Sequence, residues 1–272
     1  MQENLHQISF PEGILHYTSR GKGGKAMLAF HGFGQESAHF NQYAEVLERE
    51  YTIYSFDIFF HGNSTWKRRQ EPLSKLIWKQ MIQQFLNEHE LNNFYLTGFS
   101  MGGKFALAIV EAFPDQVEKV ILIAPDGIKT SFWYSLATYP GAFRNLFRYI
   151  VAKPKPFYTL VKIMKKARLV DKGVLKFAKS QMKTRQQRRK VYLSWVIFRC
   201  FYFDIGKVAQ LINHHQIEVD MYLGKYDKII TEKNMQTLLM KLNSYSLKIL
   251  ESGHNTLIDD VARYIKNNKV LD

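Results

Sequence analysis

Ser100 lies in Gly98-Phe99-Ser100-Met101-Gly102, a G-x-S-x-G pentapeptide between the apolar run Phe94 to Phe99 and a helical stretch from Gly102 to Phe113. A serine on such a strand-to-helix turn carries its hydroxyl above the sheet edge. The following helix points its amide donors and the positive end of its dipole at any oxyanion formed there. The chemistry within reach is attack on a carbonyl carbon. A serine hydroxyl attacks poorly until a base takes its proton, and that base needs a third group to fix its tautomer. His254, after Gly253 and just beyond the last strand-like run, is the candidate base. His214 and His215 are its main rivals, but they precede a strand-like run and so belong to the opposite sheet edge. Asp227, in Gly224-Lys225-Tyr226-Asp227, follows a strand-like run and is the candidate acid. Asp126, in Ala124-Pro125-Asp126, also follows one and stays open as the alternative acid. The backbone amides of Phe33, in His31-Gly32-Phe33-Gly34, and of Met101 are the expected oxyanion donors. His31 itself reads as structural.

These residues need elements to hold them. His6 to Phe10 and Ile14 to Ser19 have the pattern of paired edge strands. Compact apolar runs at Ala26 to His31, Tyr51 to Asp57, Phe94 to Phe99 and Val117 to Ala124 alternate with helical spacing at Ala38 to Glu48, Leu73 to His89 and Gly102 to Phe113. After a break the alternation resumes: strand Glu218 to Leu223, helix Thr231 to Leu242, strand Leu247 to Glu251, helix Thr256 to Asn267. Strands alternating with helices imply an α/β fold, a mostly parallel sheet with helices on both faces.

The break runs from Asp126 to Gly206. It is helical in pattern and holds 18 Lys and Arg against 3 acids, leaving 20 bases and 21 acids elsewhere. The net charge of +14 over 272 residues therefore belongs to one segment. Residues 1–125 and 207–272 read as the core, and 126–206 as a helical, basic, aromatic-rich insertion. A single cysteine, Cys200, excludes a disulfide framework and zinc sites built on cysteine pairs. Cys200 itself reads as a packing residue. No cofactor or metal is called for. With neither a secretory leader pattern nor an apolar run of membrane-spanning length, the expected setting is cytoplasmic.

The chain resembles the α/β-hydrolase superfamily over nearly its whole length outside the insertion. The likeness is carried by His31-Gly32, Asp57 with His61-Gly62-Asn63-Ser64, the turn around Ser100, Asp227 and His254. The order serine, acid, histidine is that of the family. The resemblance implies an eight-stranded, mostly parallel sheet with a helical cap inserted after the sixth strand, where the insertion falls. It also implies an acyl-enzyme, because relatives that open epoxides or displace halide carry aspartate in place of Ser100. Two departures stand out. Phe59-Phe60-His61-Gly62 replaces the usual proline, glycine, histidine, glycine, and Gly103-Lys104 stands where some capped relatives such as the menaquinone-pathway lyase have arginine. The expected activity is hydrolysis of a carboxylic ester or thioester. A lyase or carbon–carbon hydrolase, an acyltransferase and a non-catalytic binder remain the alternatives.

The insertion interleaves aromatics (Phe132, Trp133, Tyr134, Tyr139, Phe143, Phe147, Phe157 and Tyr158, then Trp195 to Phe203) with bases such as Lys162, Lys165, Lys166, Arg168, Lys183, Arg185 and Arg188 to Lys190. One reading is an amphipathic lid with a solvated outer face. The other is a positive surface that attracts an anionic acyl substrate or makes peripheral contact with an anionic membrane surface. Its bases and aromatics could stack single strands, but no recognised nucleic-acid module is present, and no nucleic-acid partner is expected.

Overall fold

A computed structural model describes residues 4–68, 71–129, 138, 141–166 and 172–268. Strands β1 (Asn4–Phe10) and β2 (Gly13–Arg20) form an antiparallel hairpin, and β2 runs antiparallel to β4 (Tyr51–Phe56). Beyond β4 every pairing is parallel, through β3 (Lys25–Phe30), β6 (Phe94–Phe99), β7 (Val117–Ile123), β8 (Glu218–Gly224) and β9 (Ser246–Leu250). The strand order is β1-β2-β4-β3-β6-β7-β8-β9, and the two-residue β5 (Thr65–Trp66) pairs with β2 off this path. Among the described residues the sheet therefore has nine strands, not eight. The extra one is too short for alternation to reveal.

The central strands are mostly apolar because helices cover both of their faces. In β3 every residue after Lys25 is buried. Helix α1 (Asn41–Leu47) packs with α10 (Leu257–Asn268), whereas α3 (Gly102–Ala112) packs with α2 (Lys75–Glu88) and α8 (Ile205–His214). The remaining core helix, α9 (Glu232–Leu239), touches α8. Helix α2 begins where Ser74 Oγ accepts the amide of Ile77 at 3.1 Å, and α8 where Asp204 Oδ1 accepts those of Gly206 and Lys207. Between α2, α3 and the sheet, Phe30, Phe56, Trp78 and Phe105 form a buried aromatic stack. Towards the antiparallel end, the Tyr17 hydroxyl and His89 Nε2 share a hydrogen bond at 2.8 Å, beside Tyr54 and Phe85.

The described residues divide into two compact units, one of residues 4–68, 74–129 and 201–268, the other of residues 71–73, 138, 141–166 and 172–200. The second unit contains helices α4 (Gly141–Ala152), α5 (Lys155–Lys166), α6 (Lys172–Gln181) and α7 (Arg185–Ile197). A Thr184–Gln187 capping box starts α7. From α7 the nearly buried Arg188 donates through Nε to the Val151 carbonyl at 2.9 Å and through Nη1 to those of Met182 and Lys183 at 3.2 Å. One guanidinium thus satisfies carbonyls at the C-terminal ends of α4 and α6, where a cation is favoured. Of the aromatics and bases expected in the insertion, Phe132, Trp133, Tyr134, Tyr139 and Arg168 lie outside the described residues.

Candidate active site

Ser100 stands between β6 and α3 with φ at +49°, a left-handed conformation that non-glycine residues rarely adopt. Main-chain bonds hold it there. Its amide donates to the Ile123 carbonyl at 3.0 Å, and its carbonyl accepts from Gly103 at 2.9 Å and Asp126 at 2.8 Å. The turn is tight enough that a Cβ at Gly102 would meet the Phe30 carbonyl oxygen at 1.9 Å. Glycine is required there by the close approach of the helix to β3.

Loops at the carboxyl ends of β8 and β9 bring up the other two groups. His254 Nε2 is 3.0 Å from Ser100 Oγ, and Nδ1 is 2.6 Å from Asp227 Oδ2. An ionised carboxylate only accepts, so Nδ1 carries the hydrogen and the bare Nε2 receives the serine hydroxyl. The Asp227 side chain is fully buried, and its Oδ1 accepts the amides of Ile229 at 2.7 Å and Ile230 at 3.0 Å. Those amides and the imidazole together compensate a charge that would otherwise be costly away from water. Phe99 lies against the imidazole, with ring centroids 5.0 Å apart.

Asp126, the alternative acid, is engaged elsewhere. Its Oδ2 is 2.7 Å from Lys104 Nζ and its Oδ1 accepts the amide of Gly127 at 2.7 Å. The Lys104 side chain is 8% exposed and that of Asp126 35%. This pair ties the first turn of α3 to the loop after β7, the same loop whose Asp126 amide holds the Ser100 carbonyl. Lys104, noted in the sequence only as a departure from relatives, thus braces the serine turn from behind. His214 and His215 lie at the end of α8, where His215 Nδ1 is 2.9 Å from Asp115. The structure does not bring them to Ser100.

The loop after β3 carries Phe33. Among the described residues, neither the Phe33 nor the Met101 amide has a hydrogen-bond acceptor. His31 behind them is wholly buried, donating from Nδ1 to the Gly32 carbonyl at 2.7 Å and accepting at Nε2 from the Ile58 amide at 3.0 Å. It shapes the loop. Asp57 is also structural: its two oxygens accept the amides of Ser37 at 2.7 Å and Asn63 at 2.8 Å. At Gly62, with φ at +48°, a Cβ would fall 2.0 Å from Asp57 Oδ2. Phe60 takes a left-handed φ of +71° at the position where the family pattern has glycine, which costs on the order of 1 kcal/mol.

One further brace escaped the sequence reading. Glu251 accepts from Lys225 Nζ at 2.5 Å and from the Tyr226 hydroxyl, and the Tyr226 amide donates to the Ser252 carbonyl at 3.0 Å. The bond from Lys225, then that from Tyr226, holds the Glu251 carboxyl below its usual range. The residues just before Asp227 are thereby tied to those just before His254. Among the described residues, no group of His, Cys, Asp and Glu could hold a metal ion, and no helix is long and apolar enough to cross a membrane.

Three comparisons frame this arrangement. A protein named "Putative esterase/lipase 1" from Mycoplasma pneumoniae is 35% identical over 78 residues, which is 28% of this chain and 29% of that protein. Across this and two other curated relatives, the matched stretches span 29% to 39% of those proteins' lengths. The thioesterase domain from the curacin biosynthetic pathway superposes with a TM-score of 0.67 at 16% identity, covering 98% of this chain and 99% of that one. A thermophilic esterase from Thermogutta terrifontis gives a TM-score of 0.67 at 16% identity, covering 98% and 97%. At those identities the likeness establishes the fold. The profile of the alpha/beta hydrolase fold matches residues 25–261, and with the sheet order and the serine turn described above, the protein belongs to the α/β-hydrolase family.

Proposed function

We propose that the protein is a serine hydrolase that cleaves a carboxylic ester or thioester through an acyl-enzyme on Ser100. One observation carries the reading: a single imidazole reaches Ser100 Oγ at 3.0 Å with one nitrogen and the buried Asp227 carboxylate at 2.6 Å with the other. Ser100 Oγ attacks the substrate carbonyl carbon while His254 Nε2 takes its proton. The carbonyl oxygen becomes an oxyanion, and the amides of Phe33 and Met101 receive it, each donor contributing about 3 kcal/mol to a transition state of this kind. Collapse expels the alcohol or thiol, which leaves with the proton from Nε2, and the acyl group stays esterified to Ser100. Water then attacks the ester, giving a proton to Nε2. The second collapse releases the acid and returns that proton to Ser100 Oγ.

Family membership and the esterase, lipase and thioesterase names among relatives and structural neighbours support this class of substrate. The insertion's charge favours an anionic acyl substrate over a neutral one. The test pairs a fluorophosphonate probe with a panel of aryl esters and an acyl thioester. Wild type should be labelled and should turn over several panel members, and Ser100→Ala should do neither. Labelling that survives the substitution defeats the proposal. Labelling without turnover of any panel member redirects it towards a lyase, and ester products formed with competing alcohols towards an acyltransferase.

A further inference from the structure

Between Gly141 and Lys166 the chain carries seven Lys and Arg and not one Asp or Glu. Helix α4 lies in that stretch and buries none of its residues. It is not short of apolar side chains. Phe147 turns inward, its ring 5.5 Å from Tyr192 and 5.4 Å from Trp195 on α7. Phe143, Leu146 and Tyr149, spaced three apart, stand 43%, 52% and 49% exposed. Three-residue spacing keeps them along one side of the helix, a stripe about 9 Å long at 1.5 Å per residue. At its C-terminal end Lys153 Nζ sits 5.4 Å from the Tyr149 ring. Ile163 on α5 is 57% exposed between the exposed Lys162 and Lys166.

A solvated helix face does not ordinarily set large apolar side chains in a row. A helix that lies on a lipid surface does, with bases flanking the apolar stripe to meet anionic headgroups. A run with no carboxylate repels anionic lipid nowhere along its length, which is the charge complementarity such a surface requires. We infer that α4 docks the protein onto anionic membrane surfaces, with Phe143, Leu146 and Tyr149 entering the headgroup boundary and Lys153, Lys162 and Lys166 holding the phosphates. This does not depend on the hydrolase reading, and its test needs no turnover.

The test is flotation of the full chain with phosphatidylcholine vesicles, with and without about 30% phosphatidylglycerol. Wild type should float with the anionic vesicles and not with the neutral ones. It should be released as NaCl rises to about 0.5 M, where screening shortens to about 4 Å. Combining Phe143→Ser, Leu146→Ser and Tyr149→Ser should lower partitioning about tenfold or more by removing the buried apolar area. Lys153→Glu with Lys162→Glu should do the same through charge. All five side chains are exposed, on α4, just past its end or on α5, so unchanged circular dichroism and thermal midpoints should accompany the loss. Three results overturn the inference: wild type left behind by anionic vesicles at low salt, the triple serine variant floating as well as wild type, or a wild-type dimer that the triple variant turns into monomer without any vesicle binding.

Discussion

Asp227→Asn separates the role of the third group from its packing. The amide is isosteric, and its oxygen can still accept from Ile229 and Ile230 at the 2.7 and 3.0 Å now seen. Its nitrogen then faces His254 Nδ1 as a donor, so Nδ1 must become the acceptor and the ring hydrogen moves to Nε2. That nitrogen stands 3.0 Å from Ser100 Oγ and can no longer take a proton from it. A wrong tautomer in such a relay costs about 10⁴ in kcat, or about 5 kcal/mol at 1.36 kcal/mol per decade. The fold should lose far less, about 1–2 kcal/mol, as three charge-assisted bonds become neutral ones. The control is Asp126→Asn. That side chain is 35% exposed and bound to Lys104, away from the imidazole, so activity should stay within about tenfold. The assay is the second-order rate of fluorophosphonate labelling, which needs no known substrate, read beside chemical denaturation. If Asp126→Asn slows labelling more than Asp227→Asn does, or if Asp227→Asn labels within tenfold of wild type, the assignment of the acid is wrong.

Lys104→Met should lower stability by about 1–2 kcal/mol, because the Asp126 carboxylate left behind is exposed enough to be resolvated. It should also slow labelling of Ser100 while Lys104→Arg restores the rate, and an equal loss in both variants would count against a positioning role. Gly102→Ala places a methyl 1.9 Å from the Phe30 carbonyl oxygen; denaturation should show a loss of about 3 kcal/mol or more, and labelling should fall with it. His89 supplies a pH dependence. Burial holds its imidazole below the usual value, with Glu88 opposing and His6 reinforcing the shift. The unfolded chain therefore takes the proton first, so the stabilisation is present above about pH 6.5 and is lost as pH falls below it. The thermal midpoint should drop between pH 7 and 5 in wild type and drop less in His89→Gln, and equal drops would show that the Tyr17–His89 contact is not the sensor.

Much of this was legible in the residues because the signals are local. The strand before Ser100 and the helix after it have distinct periods, and Gly98 and Gly102 mark the turn between them. His254 could be picked from His214 and His215 by asking which end of a strand each adjoins, and the structure brings it to Ser100 together with Asp227. What was not legible depends on residues distant in sequence. Asp126 follows a strand as Asp227 does, and only the coordinates reveal that Lys104, 22 positions earlier, occupies its carboxylate. The Glu251 brace joins two loops whose composition gives no hint of their meeting. β5 has two residues, too few for any period to register. The helix expected over Ala38 to Glu48 divides into a 3-10 turn, Ser37–Phe40, and α1 from Asn41, a change of winding that a hydrophobic pattern cannot distinguish.

The turn at Ser100 is gripped entirely by its main chain: its own amide bonds to β7, and its carbonyl is shared between two neighbouring amides. None of those bonds involves the hydroxyl. The scaffold will therefore present whatever side chain is installed there to the same imidazole at nearly the same place, so nucleophile and chassis can be exchanged independently. A thiol or carboxylate at this point would inherit the aim of the alcohol, which makes the position a natural seat for building a different reaction without rebuilding the fold.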